Sequence, residues 1–123
     1  MSVQRANRIL CVEDDLDTCK LVGAVLPEFE IISADTIKRA WQYYIDQKFS
    51  LIITDYHLAD GNGLDLCERI RAKDYLTPIV VISGDVELTE ADVKIAGAQK
   101  LITKGSVTFL DDLFSSASLL HVT

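Results

Sequence analysis

The chain reads as an α/β domain: a doubly wound five-stranded parallel sheet, order 2-1-3-4-5, with five helices. Three observations predict it. Short apolar runs alternate with segments of helical period, and no repeat, low-complexity tract or linker-like run interrupts them, as in strands joined by crossover helices. The runs are rich in Ile, Val and Leu without polar alternation, which suits strands covered on both faces. Polar or charged residues follow the runs directly: Glu13 and Asp14 after Ile9-Leu10-Cys11-Val12, Asp55 after Leu51-Ile52-Ile53-Thr54, Ser83 after Ile79-Val80-Val81-Ile82, and Lys104 after Leu101-Ile102-Thr103. In such sheets ligands bind beyond the carboxyl ends of the strands, at the point where strand order reverses.

Strands are expected at residues 8–13, 29–34, 50–55, 78–83 and 99–103, their central members buried. The first helix, residues 16–26, puts Leu16, Cys19, Val22 and Leu26 on one side, and Pro27 ends it. The second has the clearest stripe, Ile37, Ala40, Trp41, Tyr44, Ile45 and Lys48, so Trp41 is expected to face the core. The third, residues 64–72, turns Leu64, Cys67 and Ile70 inward. The fourth, residues 88–96, carries an indistinct stripe of Leu88, Ala91, Val93, Ile95 and Ala96 and is the element expected to move. The fifth, residues 108–119, has Leu110, Leu113, Phe114 and Ala117 at helical spacing, with Asp111 and Asp112 favouring its N-terminal dipole.

At 123 residues and 49% hydrophobic content, residues 1–123 form a single domain with one sizeable core. The formal charge of -7 repels duplex nucleic acid and anionic membranes as direct partners and leaves a basic protein partner open. The start lacks an apolar signal core, and no apolar run approaches the roughly 20 residues of a membrane span, so a cytoplasmic location is expected. Cys11, Cys19 and Cys67 are odd in number, widely spaced and set in apolar patterns. They read as small core hydrophobes, not as a disulfide framework or zinc motif. His57 and His121 are isolated; His57 draws notice for its place two residues after Asp55.

If the first and third runs are neighbouring strands, Glu13, Asp14 and Asp55 converge. Like charges at close range are costly unless a cation neutralises them, and an all-oxygen cluster with room for water suits Mg²⁺. Ser83 adds a hydroxyl and Lys104 an ammonium, a set built for a metal and a phosphate.

These residues resemble the receiver domains of bacterial response regulators over essentially the whole chain. Ile-Leu-Cys-Val-Glu-Asp-Asp at 9–15 is similar to the family's acidic-pair motif. Leu-Ile-Ile-Thr-Asp-Tyr-His-Leu-Ala-Asp-Gly-Asn-Gly at 51–63 resembles its phosphoacceptor strand and loop. Ser83 stands at the hydroxyl position and Lys104 at the invariant lysine. The resemblance implies a flavodoxin-like fold and a phosphoryl transfer from a phosphohistidine, on a sensor histidine kinase or phosphotransfer protein, to Asp55. It implies Asp14 and Asp55 as direct Mg²⁺ ligands, the backbone carbonyl of His57 as a third, and Glu13 acting through a bound water. Lys104 and Ser83 would contact the phosphoryl oxygens, and a downstream effector protein or domain would read the result. Asp15, Asp17 and Asp60 read as solvated loop acids; Gly61 and Gly63 as backbone-geometry residues, with Asn62 tolerating a left-handed turn.

Three positions depart from the family. Ala59 stands where a proline is usual. Leu101 stands where an aromatic ring commonly swings inward with the hydroxyl residue. Gly105 replaces the proline after the lysine, so the Lys104-Gly105 peptide is expected to be trans, because a cis bond before glycine costs roughly 2.5–4 kcal/mol. Leu101 and Gly105 keep a second reading open, a non-switching receiver-like interaction module. A third, a small metal-dependent phosphatase, lacks a second acid two residues beyond Asp55, where His57 stands. The chain closes a few residues after the last expected helix, as a stand-alone regulator or the first domain of a longer one would.

Overall fold

A computed structural model describes residues 7–120; the chain start and His121 lie outside the described residues. Five strands, β1 (Arg8–Val12), β2 (Glu30–Ala34), β3 (Leu51–Asp55), β4 (Ile79–Ser83) and β5 (Lys100–Thr103), alternate with α1 (Leu16–Val25), α2 (Ile37–Asp46), α3 (Gly63–Arg71), α4 (Glu90–Ile95) and α5 (Phe109–Ser115). A short 3₁₀ turn, Ser116–Leu120, follows α5. The strands pair in parallel in the order β2-β1-β3-β4-β5, the order expected. A two-residue ribbon, His57–Leu58 against Gly61–Asn62, closes the loop after β3.

Successive side chains of a strand leave opposite faces, and here both faces are dry. Leu10, Val12, Ile52, Ile79 and Val81 pack under α2, α3 and α4 with Ala40, Leu66, Cys67, Ile70 and Val93. Ile9, Cys11, Leu51, Ile53, Val80, Ile82 and Ile102 pack under α1 and α5 with Cys19, Val22, Leu26 and Leu113. Every residue of β3 and β4 is buried, which explains the unbroken apolar runs. Side-chain caps start α1, α2 and α4: Asp15 accepts from the Asp17 amide, Thr36 from Arg39, and Thr89 and Asp92 form a reciprocal box. Asp15 is thus the cap of α1, more than a solvated loop acid.

Several inward assignments fail. Leu16, Ile45, Ile95, Leu110 and Phe114 are exposed, and Leu66, not assigned, is fully buried. The reason is extent: α4 and α5 are short, α2 stops before Lys48, and Leu16 opens α1 beyond the end of β1, where the sheet offers nothing to cover. Trp41 is half-buried at the core margin and carries the Arg69 guanidinium 4.1 Å above its ring. No helix of the described residues is long and apolar enough to cross a membrane.

Candidate functional site

Register brings the acids together. Val12 of β1 lies opposite Thr54 of β3, and the Glu13 amide donates to the Ala34 carbonyl at 2.8 Å, extending the β1 ladder by one residue. Glu13, Asp14 and Asp55 therefore sit side by side at the carboxyl edge, each with a carboxylate oxygen within 4.8 Å of the others'. Glu13 and Asp55 are buried and Asp14 is exposed, so the cluster has a closed floor and one open wall.

Lys104, next after β5, crosses β4 to reach it. Its Nζ lies 2.7 Å from Glu13 Oε2 and donates to Asp55 Oδ2 at 3.0 Å. The contact to Glu13 is one of charge, with no donor aligned on the buried Oε2, while Oε1 accepts from the Asp15 amide at 3.3 Å. Burial pushes the Glu13 carboxyl up to about 7, Lys104 pulling it down and Asp55 and Asp14 adding to the rise. Burial works against the Lys104 ammonium, yet Glu13 and Asp55 together raise its pKa. One ammonium among three carboxylates leaves negative charge unbalanced. The donors are all hard oxygens and one is buried without an aligned partner, so the residues fit a hard divalent cation such as Mg²⁺.

Ser83 ends β4 at the same edge, buried, and its backbone carbonyl accepts from the Lys104 amide at 2.9 Å. Its hydroxyl oxygen accepts from the Asp85 amide at 2.9 Å, which starts a turn and leaves the O–H to donate elsewhere. The exposed His57 side chain lies beside Asp85, Nε2 to Oδ2 3.4 Å, linking the loops after β3 and β4.

The loop after β3 is held more tightly than its sequence shows. Gly63 is required because a Cβ there would run into the Asp55 carbonyl and the Thr54 side chain. Asn62 has φ -118, so it is no left-handed residue; its side chain caps α3, accepting from Leu64 at 3.0 Å and Asp65 at 3.1 Å. Asp60 is no free acid either: its carboxylate accepts from the amides of Ile37 at 2.8 Å and Lys38 at 3.0 Å, pinning the loop to the start of α2. Those amides lower its pKa. This contact spans elements distant in sequence, and a lone Asp in a Gly-rich loop gives no local sign of it. Gly105 takes φ +79, a conformation closed to proline, and its peptide with Lys104 is trans.

The family model described as the response regulator receiver domain matches residues 9–111. Response regulator protein PilR of Pseudomonas aeruginosa is 34% identical over 107 residues, covering 85% of this chain and 23% of that protein. Transcriptional regulatory protein BasR of Escherichia coli is 35% identical over 94 residues, covering 73% and 40%. The chain thus spans less than half the length of these two relatives. Among solved structures, the non-phosphorylated HemR receiver domain from Leptospira biflexa superposes with a TM-score of 0.80 at 28% identity, covering 94% of this chain and 95% of that one. The receiver domain of NtrX from Brucella abortus gives a TM-score of 0.80 at 28% identity, covering 94% and 99%.

Proposed function

This chain belongs to the response regulator receiver domain family, and on that premise we propose that Asp55 is its phosphoacceptor, served by Glu13, Asp14, His57, Ser83 and Lys104. The observation that carries the assignment is the Lys104 ammonium held between Glu13 and Asp55 at 2.7 and 3.0 Å, beside an exposed Asp14. A carboxylate nucleophile needs positive charge at the transferring oxygens, and phosphoryl transfer is mostly positioning plus charge stabilisation.

In this reading a carboxylate oxygen of Asp55 forms a bond to phosphorus while the bond from phosphorus to the donor's imidazole nitrogen breaks, the electron pair leaving with the imidazole. Lys104 follows the charge onto a phosphoryl oxygen, and the free Ser83 O–H donates to another. Asp14, Asp55 and the His57 backbone carbonyl would hold Mg²⁺ directly and Glu13 through water. Bound there, the ion neutralises the acids and the incoming phosphoryl charge. The donor is a sensor histidine kinase or phosphotransfer protein, and the output is a protein-binding surface read by an effector in the cytoplasm. The chain accepts the phosphoryl group and slowly hydrolyses it, acting as a switch, not as an enzyme on outside substrates.

Incubation with Mg²⁺ and acetyl phosphate followed by intact mass tests this. The chain should gain one phosphoryl group and Asp55→Asn none. A gain by the Asn variant would overturn the assignment, and no gain by the unaltered chain would favour the non-switching module.

A further inference from the structure

Two thiols meet directly behind the acidic site. Cys11 lies in β1 and Cys19 on the inner face of α1, and their sulfurs are 3.2 Å apart with one S–H directed at the other. Cys67 is separated from them by the sheet, in the opposite core cluster. Burial accounts for cysteines as small hydrophobes, but it does not call for two of them to face each other at this range. A disulfide needs sulfurs about 2.05 Å apart, and the chain segment between these two already folds back to bring them near that separation.

We propose that Cys11 and Cys19 are a peroxide-sensitive dithiol that closes to a reversible disulfide, tying α1 to β1 two residues ahead of Glu13. In the first step the Cys19 thiolate attacks a peroxide oxygen, the O–O bond breaks, and hydroxide leaves to become water with a solvent proton. The Cys19 sulfenic acid that remains is attacked by the Cys11 sulfur; the S–S bond forms, the S–O bond breaks, and the oxygen departs with the Cys11 proton as a second water. Two electrons pass from sulfur to peroxide, and two thiols plus peroxide give one disulfide plus two waters. Cys19 suits the attacking role. Its contact with Cys11, against the opposing effect of burial, lowers the pKa of its thiol, whereas burial pushes Cys67 up to about 12. Cys19 is buried, one turn from the exposed Leu16 and Asp17 at the opening of α1, the side from which a small oxidant would approach it.

Closing the gap pulls on the end of β1. If Glu13 and Asp14 serve Mg²⁺ as proposed above, the oxidised chain should bind the ion severalfold more weakly.

The test treats the full chain with hydrogen peroxide; one portion is alkylated under denaturing conditions and read by intact mass and peptide map, and another, kept folded and unalkylated, is titrated with Mg²⁺ by calorimetry. Expected are a mass about 2 Da lower before alkylation, a Cys11-to-Cys19 cross-linked peptide, an alkylated Cys67, and full reversal by dithiothreitol. Cys67→Ala should behave identically, while Cys19→Ala and Cys11→Ala should form no intrachain bond. Three alkylatable thiols after treatment, oxygen added irreversibly to single cysteines, or a bridge to Cys67 would each overturn the proposal. A disulfide with unchanged Mg²⁺ affinity would overturn the coupling to the acidic site. Absence of Mg²⁺ binding in the reduced chain as well would count against the metal reading and leave the disulfide standing.

Discussion

Lys104 holds Glu13 and Asp55 together, and the consequence is a site charged for exchange. An ammonium can follow negative charge from carboxylate to phosphoryl oxygen without leaving the pocket, because it is a compact charge on a flexible stem. If Asp55 carries the phosphoryl group as proposed, the neighbouring pair, His57 and Asp85, bears on its later loss. Asp85 is oriented from two sides, by His57 Nε2 at 3.4 Å and by the Glu87 amide, which donates to Oδ1 at 2.9 Å, so its carboxylate is fixed between the loops that flank Asp55. Hydrolysis of an aspartyl phosphate needs an aligned water, and polar side chains on those loops orient one where aliphatic chains exclude it. Asp85→Leu and His57→Leu should therefore lengthen the phosphoryl half-life severalfold while phosphorylation persists. Decay is followed after the phosphodonor is removed, and unchanged rates in both variants would show that the pair does not govern the water.

At the scale of elements, the turn between α3 and β4 is built around Asp74. It accepts from the Tyr44 hydroxyl at 2.8 Å, the Thr77 hydroxyl at 2.7 Å, and the amides of Leu76 and Thr77 at 2.9 and 3.1 Å. Burial opposes the charge, but these donors outweigh it and hold the carboxyl down to about 2. A carboxyl depressed on folding stabilises the fold above its ordinary pKa, and that contribution is lost as pH falls from about 4 through 2. Asp74→Asn should cost about 2 kcal/mol at neutral pH and flatten the acid limb of stability between those values in urea titrations followed at several pH values. An unchanged acid limb would refute the role. The same scale shows what was legible in the sequence. Strands were, to within about a residue, because a strand buried on both faces leaves an unbroken apolar run and little else does. Inner helix faces were less so. Periodicity identifies a stripe such as Leu110, Leu113 and Phe114, but which of its members reaches the sheet depends on where the sheet ends, and Leu113 alone is buried. The candidate site was legible as a cluster because its five side chains, Glu13, Asp14, Asp55, Ser83 and Lys104, end strands or come directly after them. Asp60 on α2 and the facing of Cys11 by Cys19 were not, because each is set by how distant segments dock and leaves no local pattern.

For the whole molecule, an ion held at the acidic site would make stability depend on metal and on pH together. A carboxyl whose pKa is raised on folding, as Glu13's is from 4.5 to about 7, binds its proton more tightly in the folded chain than in the unfolded one. The metal-free protein should therefore lose stability as pH rises through that window. A divalent ion that binds the folded state alone restores it, by RT ln(1 + [L]/Kd), about 1.4 kcal/mol at tenfold excess over Kd. In a domain of this size that is a rise in Tm of roughly 5 °C. The shift on adding Mg²⁺ should be larger at pH 8 than at pH 5, where a protonated Glu13 and a proton-competed site weaken binding, and chelation should reverse it. Asp14→Ala should abolish most of the shift, because a direct ligand is lost. Glu13→Ala should keep part of it, because contact through water is replaceable, and its metal-free Tm should lose the decline between pH 5 and 7. Calorimetric scans with and without Mg²⁺ at the two pH values decide the matter: equal shifts in the unaltered chain and both variants would mean that the ion binds elsewhere, and a decline with pH that survives Glu13→Ala would mean that another group carries it.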